Sequence, residues 1–309
     1  MNRGQPPFAE RNSERISVII PAFNAENTLA RAIASVRKQQ FPVCEIIVVD
    51  DGSSDRTSAV AHNLGSDLVV LSQSNAGPSA ARNYGARKAQ GDFLAFLDAD
   101  DYWYPEKLAS QMRIFREHAS VAFCSAEFVT FPTDAPIPTR GTWDGNWNLI
   151  HDFREVLQNP YLGTPTVVMR AEVFHECGGF DESIRFGEDV DLWMRAASSR
   201  LSARIPFPLT AVAVSASSLT SKGGESVDLG NLAVLAKFAA AHPAIVQQHR
   251  RGFHRAQATV HTRLASSRLG RGDRSGARLA LYRALQLCPF HQRAIYLWFR
   301  SFTPLRTTP

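Results

Sequence analysis

The sequence predicts an α/β protein built on a doubly wound, mostly parallel sheet and continued by a helical C-terminal extension. Three observations lead there. Short, wholly apolar runs alternate with helical spacing over the first part of the chain, which is the signature of parallel strands covered on both faces. Polar and acidic residues follow directly on those runs. Beyond a Ser/Gly-rich stretch from Ser215 to Ser226, the apolar spacing turns helical and the charge strongly basic.

The elements follow in order. Ser17–Ile20 is a buried-type strand closed by Pro21, and Asn27 or Thr28 is placed to cap a helix carrying Leu29, Ile33 and Val36. Glu45–Asp50 is the second strand, broken by Asp51–Gly52–Ser53–Ser54, with Asp55 starting a helix through Val60 and Leu64. Leu68–Leu71 is strand three, Pro78–Ala89 a helix and Phe93–Leu97 strand four. The stretch from Thr130 to Trp147, rich in proline, glycine and tryptophan, reads as an irregular loop. Val167–Met169 is a further strand, Ala171–Cys177 a short helix, and Glu188–Ala197 another helix. Leu264, Leu269, Ala277, Leu281, Ala284 and Leu287 fit a helical hairpin turning at Gly270–Asp273. The expected divisions are a disordered segment at 1–15, a catalytic body at 16–225 and a basic helical extension at 226–309.

Composition narrows the function. With 44% hydrophobic and 20% charged residues, the 309-residue chain can bury a full core. Four scattered cysteines and nine histidines form no zinc or disulfide pattern, which suits a reducing compartment. Met1–Glu10 lacks the apolar centre of a signal peptide, and no run has the length of a membrane helix. A cytoplasmic protein is expected, peripheral on the inner membrane face at most. The formal net charge of +5 is concentrated at the C-terminus: from Arg250 onward twelve arginines face Asp273 alone. A solvated face is the default reading of such a run. Contact with an anionic membrane is the alternative, because Trp298, Phe299 and Phe302 lie beside Arg300 and Arg306. Nucleic acid is not expected as a partner, since no recognition module accompanies the charge.

The sharpest chemical feature is Leu97–Asp98–Ala99–Asp100–Asp101. Residues i and i+2 at a strand end project to one side, so Asp98 and Asp100 can share a cation. Carboxylate oxygens suit Mg²⁺ or Mn²⁺, and a diphosphate leaving group needs that neutralisation. A solvated acidic turn is the competing reading; the position after an apolar strand favours the cation. Ligands of such sheets bind beyond the carboxyl ends of the strands, where Asn24, Glu26, Asp50 and Asp51 also lie. Asp51 can alternatively serve only the turn before Gly52.

Five ordered segments resemble the family 2 glycosyltransferases. They are Val18–Asn24, Ile47–Asp55, Asn75–Asn83 with Gly91–Asp101, Gly178–Asp181, and Gly187–Trp193, covering about residues 16–225. The resemblance implies a GT-A fold and transfer with inversion from a nucleotide-diphospho-sugar donor. On that footing Pro21, Phe23, Glu26 and Asp51 line the base and ribose pocket and Arg82 reaches the base. Asp98 holds ribose or metal, Asp100 holds metal, and Asp189 is the general base, with Glu188 and Asp191 as competitors. Where relatives carry a metal-binding histidine after the base helix, Ser215 stands here. The absence of QxxRW and of membrane helices favours single additions over polymerisation. The expected acceptor is a saccharide or lipid-linked hydroxyl, in cell-surface polysaccharide or glycan synthesis. A nucleotidyltransferase would want a Gly-rich, Arg/Lys-bearing loop after strand one, which Pro21–Glu26 does not supply; a catalytically silent nucleotide-sugar-binding protein is the alternative.

Overall fold

The computed structural model describes residues 14–140, 148–158, 162–214 and 224–302. The expected disordered N-terminal segment and Ser215 lie outside them, apart from Glu14 and Arg15. The described residues divide into two compact units: 14–140, 148–153, 162–182 and 195–214 form one, and 154–158, 183–194 and 224–302 the other.

The first unit is built on a nine-stranded sheet. β1 (Ile16–Ala22), β2 (Glu45–Asp50), β3 (Leu68–Ser72) and β4 (Phe93–Phe96) pair in parallel in the order β3-β2-β1-β4. The sheet continues through β8 (Val168–Arg170), β6 (Val121–Pro132), β9 (Leu201–Val214) and β5 (Tyr102–Trp103), with β7 (Asn148–His151) alongside β9. β8 is antiparallel to both β4 and β6, whereas β6 and β9 run parallel. The first four strands are where the apolar runs place them. The expected loop from Thr130 needs correcting: Thr130–Pro132 is the end of β6, and residues 141–147 lie outside the described residues.

Helices cover both faces of the parallel half. α1 (Leu29–Arg37), α2 (Thr57–Asn63) and α4 (Lys107–Glu117) bury Leu29, Ile33, Ala61, Leu108 and Met112 with Val18, Ile20, Ile46 and Val48. These strand residues alternate along β1 and β2, so Ile19, Ile47 and Val49 face the other side. There lies α3 (Pro78–Lys88), whose Gly85 comes so close that an added Cβ would sit 2.6 Å from Ile19 Cγ2 and 3.2 Å from Val49 Cγ2. Thr28 holds the N-cap position of α1 without a side-chain cap, and α2 begins at Thr57, whose amide donates to Asp55 Oδ1 at 2.9 Å.

One buried cation stands out in this unit. Lys107 is fully buried, donates to Gln111 Oε1 at 2.9 Å and lies 4.1 Å above the Trp103 ring. Gln111 in turn donates to the carbonyls of Cys124 and Thr166. Burial beside a neutral amide pushes the ammonium down to about 7. The unfolded lysine stays protonated up to its ordinary value of 10.5, so the unfolded chain binds the extra proton above pH about 7. Stability is therefore expected to rise with pH from about 7 to about 9, by about 1.4 kcal/mol per pH unit for one proton. Above that window the buried Cys124 thiol, pushed up to about 12, acts in the opposite sense. Urea unfolding across the window checks this, and Lys107→Met should be more stable at pH 7 and lose the slope.

The second unit is helical after the loop at 183–187. α7 (Glu188–Ala197) begins in it, followed by α8 (Glu225–Ala241), α9 (Pro243–Gln248), α10 (Arg250–Gly270), α11 (Arg274–Leu287) and α12 (Gln292–Arg300); the short α5 (Phe153–Gln158) and α6 (Ala171–Glu176) come earlier in the chain. The expected hairpin is α10 and α11, with Asp273 capping α11 through Gly276 N at 2.9 Å. Its core joins Ala258, Leu264, Ala277, Leu281, Ala284, Ala294 and Leu297. No helix among the described residues is long and apolar enough to cross a membrane.

Candidate active site

Because β1 to β4 run parallel, their carboxyl ends open on one edge, and the loops there are knitted by side chains. Asn24, in a left-handed conformation (φ 49°), accepts from Ser54 N at 2.9 Å, and its own amide donates to Ser53 Oγ at 3.0 Å. Glu26 pairs with Arg56 at 3.0 Å and also accepts that residue's backbone N–H at 3.1 Å. Pro21 is buried in β1, while Phe23, just beyond it, is 51% exposed.

Asp51 is buried and holds the loop after β3. Its Oδ1 accepts from Gln73 Nε2 at 2.7 Å and Ala76 N at 2.9 Å, and its Oδ2 from Gly77 N at 2.9 Å. Gly52 is needed beside it: its φ is +73°, and a Cβ would lie 2.7 Å from Asn75 N. Asp51 thus serves more than its own turn, since it fixes residues 73–77 against β2.

Arg82, in the second turn of α3, is only 5% exposed. Its Nη2 donates to Asp98 Oδ1 at 2.6 Å, and its guanidinium lies 5.5 Å from the Phe180 ring centre. Phe180 packs edge-on against Phe96 of β4. The next residue, Asn83, clasps the Gly179–Phe180 segment: it accepts from Phe180 N at 2.9 Å and donates to Phe180 O at 2.8 Å and Glu182 Oε1 at 2.9 Å. In the sequence Asn83 carries no sign of this role beyond its place in the Asn75–Asn83 segment, two residues before Gly85.

Three carboxylates crowd the tip of β4. Burial first, and then the charge of Asp98, push Asp100 up to about 6. Asp101, whose Oδ1 accepts from Ala213 N at 2.8 Å, is pushed well up by burial and then by Asp98 and Asp100. Asp101, the last residue of the acidic motif, thereby ties the tip of β4 to β9. The cluster suits a divalent cation, with hard oxygen donors whose mutual repulsion such a charge would relieve. Among the described residues no three His, Cys, Asp or Glu side chains converge as a metal-ligating group. Asp98 and Asp100, two residues apart at the strand tip, are the pair of carboxylates that could hold such a cation.

The second unit carries Asp189 at the start of α7. Its Oδ1 accepts from Val190 N at 2.7 Å, in the manner of a carboxylate at a helix N-terminus. Gly187 precedes it with φ +86°, and a Cβ there would lie 2.7 Å from Asn231 Oδ1 of α8. Asp191, a competitor for the base, is 2% exposed and pairs with Lys237 at 2.8 Å, so its charge is already matched. Glu188 is half-buried.

The profile described as Glycosyl transferase family 2 matches residues 17–178, more than half of the chain. The chain belongs to glycosyl transferase family 2. Similar proteins include an uncharacterized glycosyltransferase of Rickettsia conorii, 34% identical over 208 residues that span 66% of this chain and 33% of that one. The succinoglycan biosynthesis protein ExoU of Rhizobium meliloti is 29% identical over 234 residues, 70% of this chain and 67% of that one. The chain spans about a third of the length of the first Rickettsia relatives. Among solved structures, S. aureus TarS 1-349 in complex with UDP-GlcNAc has a TM-score of 0.62 at 17% identity, over 93% of this chain and 90% of that one. The mannosyltransferase PcManGT of Pyrobaculum calidifontis, in complex with GDP-Man and Mn²⁺, has a TM-score of 0.56 at 20% identity, over 92% and 84%. The glycosyltransferase fold expected of a family 2 chain is thereby shown, with its mixed sheet and C-terminal helices.

Proposed function

We propose that the chain is an inverting glycosyltransferase that moves a sugar from a nucleotide-diphospho-sugar to a hydroxyl of a saccharide or lipid-linked acceptor, in cell-surface polysaccharide or glycan synthesis. The observation that carries the reading is the carboxyl edge of β1, β2 and β4, where Asp51, Arg82, Asp98 and Asp100 gather among loops held by side-chain hydrogen bonds. The bound ligands of the neighbours, UDP-GlcNAc in TarS and GDP-Man with Mn²⁺ in PcManGT, agree with such a donor. ExoU's part in succinoglycan biosynthesis agrees with a polysaccharide product.

In this reading Pro21, Phe23, Glu26 and Asp51 line the pocket for base and ribose, with the loop 73–77 set by Asp51. Arg82 reaches toward the base and also orients Asp98 through their ion pair. Asp98 and Asp100 hold Mg²⁺ or Mn²⁺, which when bound neutralises the diphosphate that departs. The acceptor oxygen attacks the anomeric carbon in line. One C–O bond forms, the bond to the diphosphate breaks with its electron pair, and Asp189 takes the hydroxyl proton. The reaction belongs in the cytoplasm, where nucleotide sugars are available, at the inner face of the cytoplasmic membrane when the acceptor is lipid-linked.

A panel of UDP-, GDP- and dTDP-sugars with Mn²⁺, read by thermal shift and followed by a donor-hydrolysis assay, tests this. One nucleotide class is expected to stabilise the chain by about 2.7 kcal/mol at a hundredfold excess over Kd. No stabilisation by any donor removes the reading, and binding without turnover on any acceptor leaves a silent binding module.

A further inference from the structure

The helical end of the second unit gathers exposed apolar side chains. Of the eleven large hydrophobic residues exposed among the described residues, six fall between 279 and 302: Leu279, Tyr282, Phe290, Tyr296, Phe299 and Phe302. Chance scatter of surface hydrophobics needs no account, but a cluster of this kind does. The six lie on α11, on α12 and at the turns that bound α12. Tyr296 and Phe299 stand one turn apart on the outer side of α12, opposite Ala294 and Leu297, which are buried in the core with α10 and α11. Phe302 follows one turn later and stacks 4.0 Å from the Arg278 guanidinium, which is fixed by a 2.9 Å bond to Ser301 O. Leu279 and Tyr282 adjoin Arg278 on α11. Phe290, 89% exposed, marks the turn between the two helices. Trp298 behaves differently from its neighbours, because it packs partly against the core.

The charge around this face has one sign. Residues 274–302 hold five arginines and no carboxylate. Arg255 of α10 and Arg293 of α12 both act on the His291 imidazole, which places the two cations at one edge of α12. Arg283 is exposed on α11. The arginines of α10 nearer to α8 are, by contrast, matched by acids: Arg263 with Asp228 and Arg268 with Glu225.

We propose that the exposed face of α11 and α12 is a docking surface for an anionic phospholipid membrane, with Tyr296, Phe299 and Phe302 at headgroup depth and Arg283 and Arg293 on lipid phosphates. Aromatic side chains on amphipathic helices with flanking arginines match the chemistry of that interface. Nucleic acid fits less well, because Leu279 and the spread of the rings over two helices make no continuous stacking platform. A second copy fits less well too, since a two-fold contact would bury this face against itself, and residues 274–302 hold no carboxylate to answer the arginines. The inference rests on the lipid-linked acceptor for its purpose, whereas its evidence is the face alone.

Flotation of the full chain with phosphatidylcholine vesicles, with and without phosphatidylglycerol, tests it without donor or acceptor. The chain is expected to float with the anionic vesicles at low salt, to stay behind with neutral ones, and to be released by salt. Tyr296→Ala with Phe299→Ala, and Arg283→Glu with Arg293→Glu, are each expected to weaken partition by about tenfold or more. All four side chains are exposed, so the donor-induced thermal shift should be unchanged and vouches for the fold. No flotation with anionic vesicles, or flotation that both variants leave intact, overturns the proposal. So does an RNA-binding or self-association signal that these variants abolish when no flotation is seen. Flotation in a chain that binds no donor would uphold this surface and remove only the transferase reading.

Discussion

Replacing Asp189 by asparagine is expected to lower sugar transfer on the order of 10²-fold or more while donor affinity stays as it was. Asparagine keeps the volume and one oxygen, so the bond from Val190 N to that oxygen can persist. What it removes is the proton acceptor. The same substitution at Asp191 would test something else, because that carboxylate is buried and engaged in an ion pair with Lys237. Steady-state transfer with the donor found by thermal shift, together with donor titration by calorimetry, gives the two numbers. Near-normal transfer in Asp189→Asn would move the base to Glu188, since the ion pair already engages Asp191.

The second large effect is expected at Asp100. Asp100→Ala should abolish the Mn²⁺ dependence of donor binding and cost several kcal/mol of transition-state stabilisation, a rate loss on the order of 10³-fold. The stability of the ligand-free chain should move the other way. Asp98 repels Asp100 in a half-buried setting, so deleting one carboxylate relieves the crowding. A thermal melt that rises or holds while Mn²⁺-dependent affinity vanishes separates loss of a ligand from loss of fold. Unchanged Mn²⁺-dependent affinity would take the metal away from the tip of β4.

The parallel half of the sheet was legible because its strands read as apolar runs: β1, β2 and β4 are covered on both faces, while β3, at the edge of the sheet, is only half-buried but keeps the same run of Leu and Val. The same pattern located the carboxyl edge and with it Asp51, Asp98 and Asp100. β6 and β9 were not legible in the same way. β9 carries Pro206 and Pro208, residues that argue against a central strand, and the pairing absorbs them by register shifts where Glu127 meets Pro208. The outer part of β6 alternates between half-buried and exposed side chains, so it never forms an apolar run. The ties that shape the site were hidden for another reason. Asp51 meets Gly77 across 26 positions and Asp101 meets Ala213 across 112, and spacing within a segment carries no record of either. Lys107 sits at the head of an ordinary amphipathic helix, where a lysine reads as solvated until the strands beyond it are in place.

Gly85 has a consequence that reaches past its own surroundings. With no side chain there, the axis of α3 settles directly on Ile19 and Val49, and that seating determines how far a guanidinium one turn earlier extends toward the neighbouring strand. A single methyl group at position 85 would act as a wedge, lifting the helix and drawing Arg82 back from Asp98. The polarity of the carboxylate cluster is thus governed from inside the hydrocarbon layer, by the thickness of one hydrogen atom.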